Sequence, residues 1–485
     1  MNWWVFRRKL HSSWLIAALC TALFIGVVLA QFGFSKYFSN SSWPVIGVIL
    51  IAFVFWKRRV YLMPVLLIAG VAMGLWRGSI TQRELDVYKP MYGKSTEVTG
   101  HVKDDVDIGP SGQLVIRLDN IVINNQKLSG AVWISATTKS EIKRGDVVSV
   151  SGSLTEGFGN FSGVMYRANI LKVTQPVPGD IARVVRDWFV GGIRQGLNEP
   201  EASLGIGYLV GQRRALPLDL VVALQVVGLT HVVVASGYNL TILVRLARRL
   251  FEKVSKYLSA LASSIMIFAF IMVTGLSPSM SRAGLVAGLS LAAWYCGRKF
   301  HPIILLLVAI GVTVMINPSY AWGDLGWQLS FTAFAGVMIL APLMQRYFFG
   351  DKKPGFIRQI LGETVSAQIC TAPVLIVAFG QVSNVAIVAN LLVLPLVPLA
   401  MLLTFIAGVG GLVVPAFAHF VSLPAQWLLD YMVYVIETLS QVPWTLTKVS
   451  LEPIFAVAGY LIIGLLCLYL WRVTKFNLRD ANLVE

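Results

Sequence analysis

The sequence predicts a polytopic α-helical membrane protein of about ten to twelve spans, with a small OB-fold-like β-barrel inserted outside the membrane. Three observations carry this expectation. Hydrophobic residues make up 56% of the 485 and charged residues only 13%, at a mean hydropathy of +0.71, whereas soluble domains carry about 25% charged residues. From about 95 to 175 the long apolar runs give way to short alternating segments. Basic residues, finally, gather between the apolar runs on one side, the pattern that fixes orientation in a bilayer.

Residues 1–77 hold three apolar runs, near 13–31, 43–56 and 60–76. No small-residue cleavage pattern follows the first, so it reads as a retained span. Arg7, Arg8 and Lys9 precede it, and Lys57, Arg58 and Arg59 separate the second from the third. Both clusters are expected on the cytoplasmic side, which puts the chain after Trp76 outside.

Residues 78–177 read as the barrel. Val148-Ser-Val-Ser-Gly-Ser-Leu154 alternates strictly, Leu114–Leu118 and Ala131–Ile134 are strand-like, and Asn124-Asn125 and Gly145-Asp146 supply turns. About five strands in this length suit a small barrel. Trp133, Phe158, Phe161 and Tyr166 are its candidates for stacking on nucleic-acid bases. Acidic and basic residues balance at 11 each from 78 to 180, so the barrel lacks the basic footprint of a strong nucleic-acid binder.

Residues 178–227 begin with a helix over 180–197. Ile181, Val184, Val185, Trp188, Phe189, Ile193 and Leu197 form its apolar stripe, with Arg183, Arg186 and Arg194 largely outside it. Such a helix can lie in the headgroup plane against membrane lipid, or pack on the barrel domain. Two short helices follow, near 200–210 and 217–227, and Arg213 and Arg214 between them could gather phosphates.

The C-terminal apolar region, 228–476, contains runs near 228–250, 258–275, 280–296, 301–316, 325–345, 362–379 and 453–471. Between 384 and 442 the count stays open: Pro395 and Pro398 interrupt one run, and 422–442 either spans or lies flat. A cytoplasmic tail, 477–485, closes the chain. Inner segments collect 20 basic residues, among them Arg245, Arg248, Arg249, Lys253 and Lys256; the outer turns hold chiefly Lys36, Arg282 and Lys448. Much of the net charge of +16 is therefore topological.

Polar residues inside apolar runs are costly and mark functional sites or close packing. Thr230, His231, Ser236, Gly237 and Asn239 cluster within ten residues. Arg282 follows a Ser277-Pro278 helix start, Asp324 heads a helix with Gln328 one turn on, and Thr332 and Gly336 continue that face. Asn384 and Asn390 flank the start of the interrupted run. Each has an ordinary explanation: snorkelling for Arg282, N-capping for Asp324, small-residue packing for Ser236 and Gly237. Together they could line a hydrated route. Cys20, Cys296, Cys370 and Cys467 form no CxxC pair and read as small buried hydrophobes. Five histidines without an HxH or HExxH motif argue against a metal hydrolase. Gly93-Lys94-Ser95 lacks the spacing of a phosphate loop, so no ATPase, metal or cofactor is expected.

These polar blocks resemble the ComEC-type competence channels. The resemblance runs through Leu209-Val-Gly-Gln-Arg-Arg214, Gly228-Leu-Thr-His-Val-Val-Val-Ala-Ser-Gly237, Pro278–Arg298 around Ser281-Arg282-Ala283, Asp324-Leu-Gly-Trp-Gln-Leu-Ser-Phe331 and Ala389-Asn-Leu-Leu-Val-Leu-Pro395. It covers nearly the whole chain. Two departures stand out: the family block usually continues Ser-Gly-Leu-His where this chain has Ser236-Gly237-Tyr238-Asn239, and the C-terminal metallo-β-lactamase-like domain of many members is absent.

The resemblance implies a channel for single-stranded transforming DNA in the bacterial cytoplasmic membrane, both termini inside and the barrel outside. Implied partners are a ComFA-like ATP-driven translocase, a ComEA-like receptor or competence pilus, a separate nuclease and a second copy as homodimer. It leaves Thr230, His231, Ser236, Gly237, Asn239, Arg282, Asp324, Gln328 and Asn390 as channel-lining candidates. Arg213, Arg214, Arg245, Arg248, Arg249, Trp133 and Tyr166 are candidates for touching DNA. A secondary transporter for a small anion is the competing reading, since the run at Pro395 is broken. An intramembrane hydrolase on Ser236 and His231 fits poorly: five helical positions put them about 140° apart.

Overall fold

A computed structural model describes residues 10–34, 38, 42–109, 112–137, 142–177, 179–212, 216–233, 237–275, 277–297, 301–350, 352, 354–449 and 451–477. The chain opens with helices α1 (Ser12–Gln31), α2 (Ser42–Lys57) and α3 (Met63–Asp86). Strands β1 (Ser95–Val102), β2 (Asp107–Ile108), β3 (Leu114–Ile123), β4 (Gln126–Leu128), β5 (Val132–Ala136), β6 (Val147–Glu156) and β7 (Gly163–Thr174) follow. Then come α4 (Ile181–Gly196), α5 (Glu201–Val210), α6 (Leu218–Val227), α7 (Thr230–Val233), α8 (Gly237–Glu252), α9 (Lys256–Thr274) and α10 (Pro278–Tyr295). After these lie α11 (Pro302–Ile316), α12 (Tyr320–Gly323), α13 (Leu325–Ala335), α14 (Ala341–Phe349), α15 (Phe356–Phe379), α16 (Ala386–Val393), α17 (Val397–Val413), α18 (Ala418–Ser440) and α19 (Pro453–Thr474). A short ladder pairs β8 (Gln381–Ser383) with β9 (Leu446–Lys448).

Contacts divide the chain into two compact units, Met1–Val177 with Phe300–Phe331, and Pro178–Lys299 with Thr332–Glu485. Among the described residues, seven helical stretches are long and apolar enough to cross a membrane: Ser12–Gln31, Val60–Met91, Lys256–Thr274, Leu325–Phe349, Ile357–Phe379, Ala386–Val413 and Pro453–Thr474. Ser42–Lys57, Leu218–Val227 and Pro302–Ile316 are shorter apolar helices. The protein is a polytopic helical membrane protein carrying a small barrel.

In the first unit, glycines let α1 and α3 approach to backbone contact. A Cβ at Gly26 would overlap the carbonyl of Val71, and one at Gly74 would overlap that of Leu23. Small residues do this where a bilayer offers no hydrophobic drive between helices. We expect Gly74→Leu to destabilise the purified protein by about 3 kcal/mol, the upper end of overpacking costs, read as a lower unfolding temperature in detergent. An unchanged transition would refute the tight α1–α3 seam. Helix α11 joins this pair through Gly311, against the Cys20 side chain. Arg77 of α3 donates to the carbonyls of Met315 (3.0 Å) and Ile316 (2.8 Å), acceptors that the end of α11 leaves open.

The β segment closes on itself. The ladder runs β1–β6–β7–β5–β3 and back to β1, with β5 and β7 parallel and the other barrel pairs antiparallel. Five strands in this Greek-key order form an OB-fold barrel. The alternation legible at Val148–Leu154 holds: Val148, Val150 and Leu154 point into a core with Ile116, Leu118 and Ile134. Asn124 and Asn125 take left-handed φ of 49° and 64° at the β3–β4 turn, as a two-residue hairpin demands. Tyr88, just past α3, is fully buried in this core and donates to the Ser129 carbonyl at 2.8 Å.

In the second unit, every residue of α5 is buried, with α4, α17 and α18 packed against it. Here two expectations need correction. The apolar stripe of α4 divides: Ile181, Val184, Val185 and Trp188 are exposed, whereas Ile193 and Leu197 are buried and Phe189 packs on the core, beside buried Arg186, Val190, Gly192 and Gly196. Glycine decides the orientation. A Cβ at Gly192 would come within 2.6 Å of the Gly408 carbonyl, and one at Gly196 would overlap the Ser422 hydroxyl. Arg186, expected outside the stripe, is taken inward and paired with Asp187 at 3.0 Å. Within the run 228–250, Gly228 caps α6 at a left-handed φ of 81°, α7 covers Thr230–Val233 and α8 covers Gly237–Glu252, with 234–236 outside the described residues. Secondly, Cys296 is exposed at the end of α10 instead of buried.

The interruption at Pro395 appears as a 3-10 turn, Leu394–Leu396, between α16 and α17. Between α13 and α14 a π-helical turn, Gly336–Leu340, slips the ladder. At Gly336 the backbone of Ser366 lies close enough that a Cβ would stand 2.5 Å from its carbonyl.

Candidate functional site

Gly237, Arg282 and Asn239 lie at the start of α8. A cation lies against Gly237: a Cβ would stand 2.9 Å from Arg282 Nη2 and 3.2 Å from the Ala283 Cβ. Arg282 is 8% exposed, with its guanidinium 5.4 Å from the Phe334 ring centroid. Helix α10 brings it there, started by Ser277, whose hydroxyl accepts from the Met280 amide at 3.2 Å. The sequence-level N-cap and the buried cation are thus parts of one helix start. Asn239, two residues on from Gly237, is fully buried and donates to the carbonyls of Tyr208 (2.9 Å) and Val232 (3.5 Å). It ties α8 to the ends of α5 and α7. His231 is exposed, and its Nδ1 donates to the Gly228 carbonyl at 3.0 Å; Thr230 beside it is half-buried. Asn390, buried on α16, has an Oδ1 without a hydrogen-bond partner among the described residues. Ser236, Arg213 and Arg214 lie outside the described residues.

At the far end of α8 the cations meet aromatic faces. Arg248 lies 5.5 Å and Lys256 5.6 Å from the Trp294 ring, and Lys256 also lies 5.6 Å from Tyr295. Arg249 is exposed and Arg245 half-buried. Cations over indole gain from the ring quadrupole while keeping their charge available.

In the first unit, Asp324 caps α13: its Oδ1 accepts from the Trp327 amide at 2.7 Å, and its Oδ2 accepts from Asn160 Nδ2 at 2.8 Å. Gln328 turns back, donating to the carbonyls of Ala321 (3.3 Å) and Trp322 (3.4 Å). Trp327 anchors the motif, donating from its indole to Thr313 at 3.0 Å and stacking on Phe24. Asn384 donates from Nδ2 to the Trp444 carbonyl and the Thr447 hydroxyl, tying the β8–β9 ladder.

The barrel gathers all four stacking candidates. Trp133 stands 5.6 Å from Tyr166 and 5.8 Å from Phe158, and Phe158 stands 5.5 Å from Phe161. Tyr166 is 59% and Phe158 49% exposed. Sequence reasoning missed Asn160, the one polar side chain that this aromatic loop sends to Asp324; nothing local in Gly159-Asn160 signals a partner 164 residues away. Among the described residues no group of three or more His, Cys, Asp or Glu is placed to hold a metal ion.

Comparison with known proteins bears on this geometry. A family model described as Competence protein matches residues 208–474, a span that holds Gly237, Asn239, Arg282, Asp324 and Asn390. ComE operon protein 3 of Bacillus subtilis (strain 168) is similar to the chain at 25% identity over 220 residues, 43% of this chain and 27% of the relative. The match thus spans about a quarter of that relative's length. No solved structure matches. With more than half of its residues under the family model, the chain belongs to the Competence protein family, as a ComEC-type member.

Proposed function

We propose that this protein conducts single-stranded transforming DNA inward across the bacterial cytoplasmic membrane during natural competence. The observation that carries this reading is Arg282, a buried cation seated on Gly237 within the family-matched region. Buried cations in membrane helices are costly and mark pathways for charged substrates. The exposed rings on the barrel suit unpaired bases, and the cations around Trp294 suit a phosphate backbone leaving the channel. In this reading His231, Thr230, Asn239 and Asn390 border the route through the second unit.

Moving each phosphate against an inside-negative potential costs about 2.3 kcal/mol per 100 mV. The strand therefore needs pulling from the cytoplasm, by an ATP-driven translocase such as a ComFA-like protein. Delivery from outside falls to a ComEA-like receptor or a competence pilus, and removal of the second strand to a nuclease. The test is a deletion strain complemented with the full chain and supplied with labelled DNA or labelled small anions. Restored nuclease-protected DNA uptake supports the reading. Accumulation of a small anion without DNA uptake overturns it in favour of a secondary transporter.

Trp133→Ala with Tyr166→Ala tests the barrel's part. Stacking contributes about 1–3 kcal/mol per base, so the pair should weaken oligothymidylate binding by the full chain in nanodiscs by about 30-fold or more. Unchanged anisotropy titrations would remove the barrel from the strand's path.

A further inference from the structure

The loop Gly157–Ser162 between β6 and β7 has two faces. One sends Phe158 and Phe161 into the row of rings with Trp133 and Tyr166. The other, Gly159 and Asn160, sits on the Gly323–Asp324 corner that heads α13. The contact is backbone against backbone. A Cβ at Gly159, whose φ is +63°, would stand 2.7 Å from the Gly323 carbonyl, and a Cβ at Gly323 would overlap the Gly159 carbonyl. Asp324 spends its two oxygens separately: Oδ1 caps α13 through the Trp327 amide, and Oδ2 takes the Asn160 amide at 2.8 Å.

We propose that Asn160 and Asp324 form a positioning pair for DNA uptake, through which the ring-bearing face of the barrel sets the start of α13. The proposal rests on reading that face as strand-binding. The rings of Trp133 and Phe158 stand 5.8 Å apart and edge to face, so a base that enters between them would shift Phe158. The loop has little slack to absorb the shift, because a Cβ at Gly157 would already overlap the Phe161 carbonyl. The displacement passes to Gly159 and Asn160, and from them to the carboxylate that caps α13. Asp324 caps α13, so the displacement reaches the first turn of that helix.

The pair can be reversed, which gives a direct test. Asn160→Asp sets two carboxylates against each other. Asp324→Asn keeps an oxygen for the Trp327 amide but offers an NH₂ to an NH₂. The double exchange restores one hydrogen bond of reversed polarity, with the cap intact. Transformation-linked DNA uptake should fall about tenfold or more in N160D, as for a hydrogen bond to a charged group. It should return to within about threefold of normal in the double variant, the signature of direct coupling. Asn160→Ala, which only removes the donor, should also lower uptake with protein amount unchanged. Oligothymidylate affinity of the full chain in nanodiscs should not fall in N160D or N160A, and should rise where the broken pair frees the loop, because coupling between two sites is reciprocal. A double variant no better than N160D, normal uptake in N160A, or losses that merely follow the amount of folded protein would overturn the pair. Failure of the strand-binding reading shows separately: no oligothymidylate binding by the unaltered chain, whatever the exchange does to uptake.

Discussion

Gly237→Leu should reduce DNA uptake about 100-fold, close to 2.7 kcal/mol, while Gly237→Ala should cost little. The difference follows from what lies over the glycine. An alanine Cβ meets the far end of a flexible side chain, Arg282 Nη2 at 2.9 Å, which can give way by a few tenths of an ångström. Leucine fills the volume of the guanidinium itself and must drive the charge off Gly237 and away from Phe334. Arg282→Lys should fall between, because it keeps the charge and loses the planar fork. Uptake of internalised DNA, normalised to protein in the membrane, is the measurement. Equal uptake in the leucine variant would show that Arg282 is packing and not part of a route.

Reversing Arg245, Arg248 and Arg249 to glutamate together should abolish transformation. The change removes three cations and adds three anions where a polyanion is proposed to leave, and like charges across an interface cost several kcal/mol. Arg248 and Arg249 also lie one turn or less from the end of α8, where cations favour the helix C-terminus, so Gln replacements serve as controls for folding. Lys253, Lys256 and the other inner basic residues remain to hold orientation. Cysteine accessibility at Cys296 checks this in the same preparation, since Cys296 is exposed at the end of α10. Normal transformation with unaltered orientation would exclude this end of α8 from the exit.

Features set by local pattern were legible in the sequence. Period-two alternation foretold the barrel core at Val148, Val150 and Leu154, and Asn124-Asn125 foretold a hairpin turn. The apolar runs foretold the long helices, because nothing else satisfies backbone polar groups in lipid. The aromatic residues singled out in the barrel do form one row. What was not legible depends on partners distant in the chain. The apolar stripe of α4 foretold the burial of Ile193 and Leu197, but not the close approach of glycines 192 and 196 to Gly408 and Ser422. Asp324 looked like a plain N-cap, and is one; its second oxygen belongs to a loop 164 residues away. Gln328 looked inward-facing by its spacing, yet the open carbonyls of α12 draw it back. The left-handed glycine at 228, which ends α6 at the start of the run 228–250, is not registered by hydropathy.

The seat of the barrel has a consequence for biosynthesis. The ribosome finishes β7 long before it reaches Gly323 and Asp324, so the barrel can close while its landing place is still unmade. Until Pro302–Phe331 emerges, Arg77 waits without the Met315 and Ile316 carbonyls, and Asn160 without its carboxylate. Nascent chains truncated between these points should therefore hold a closed barrel on an unfinished base, open to protease at Gly157–Ser162 until the later helices arrive.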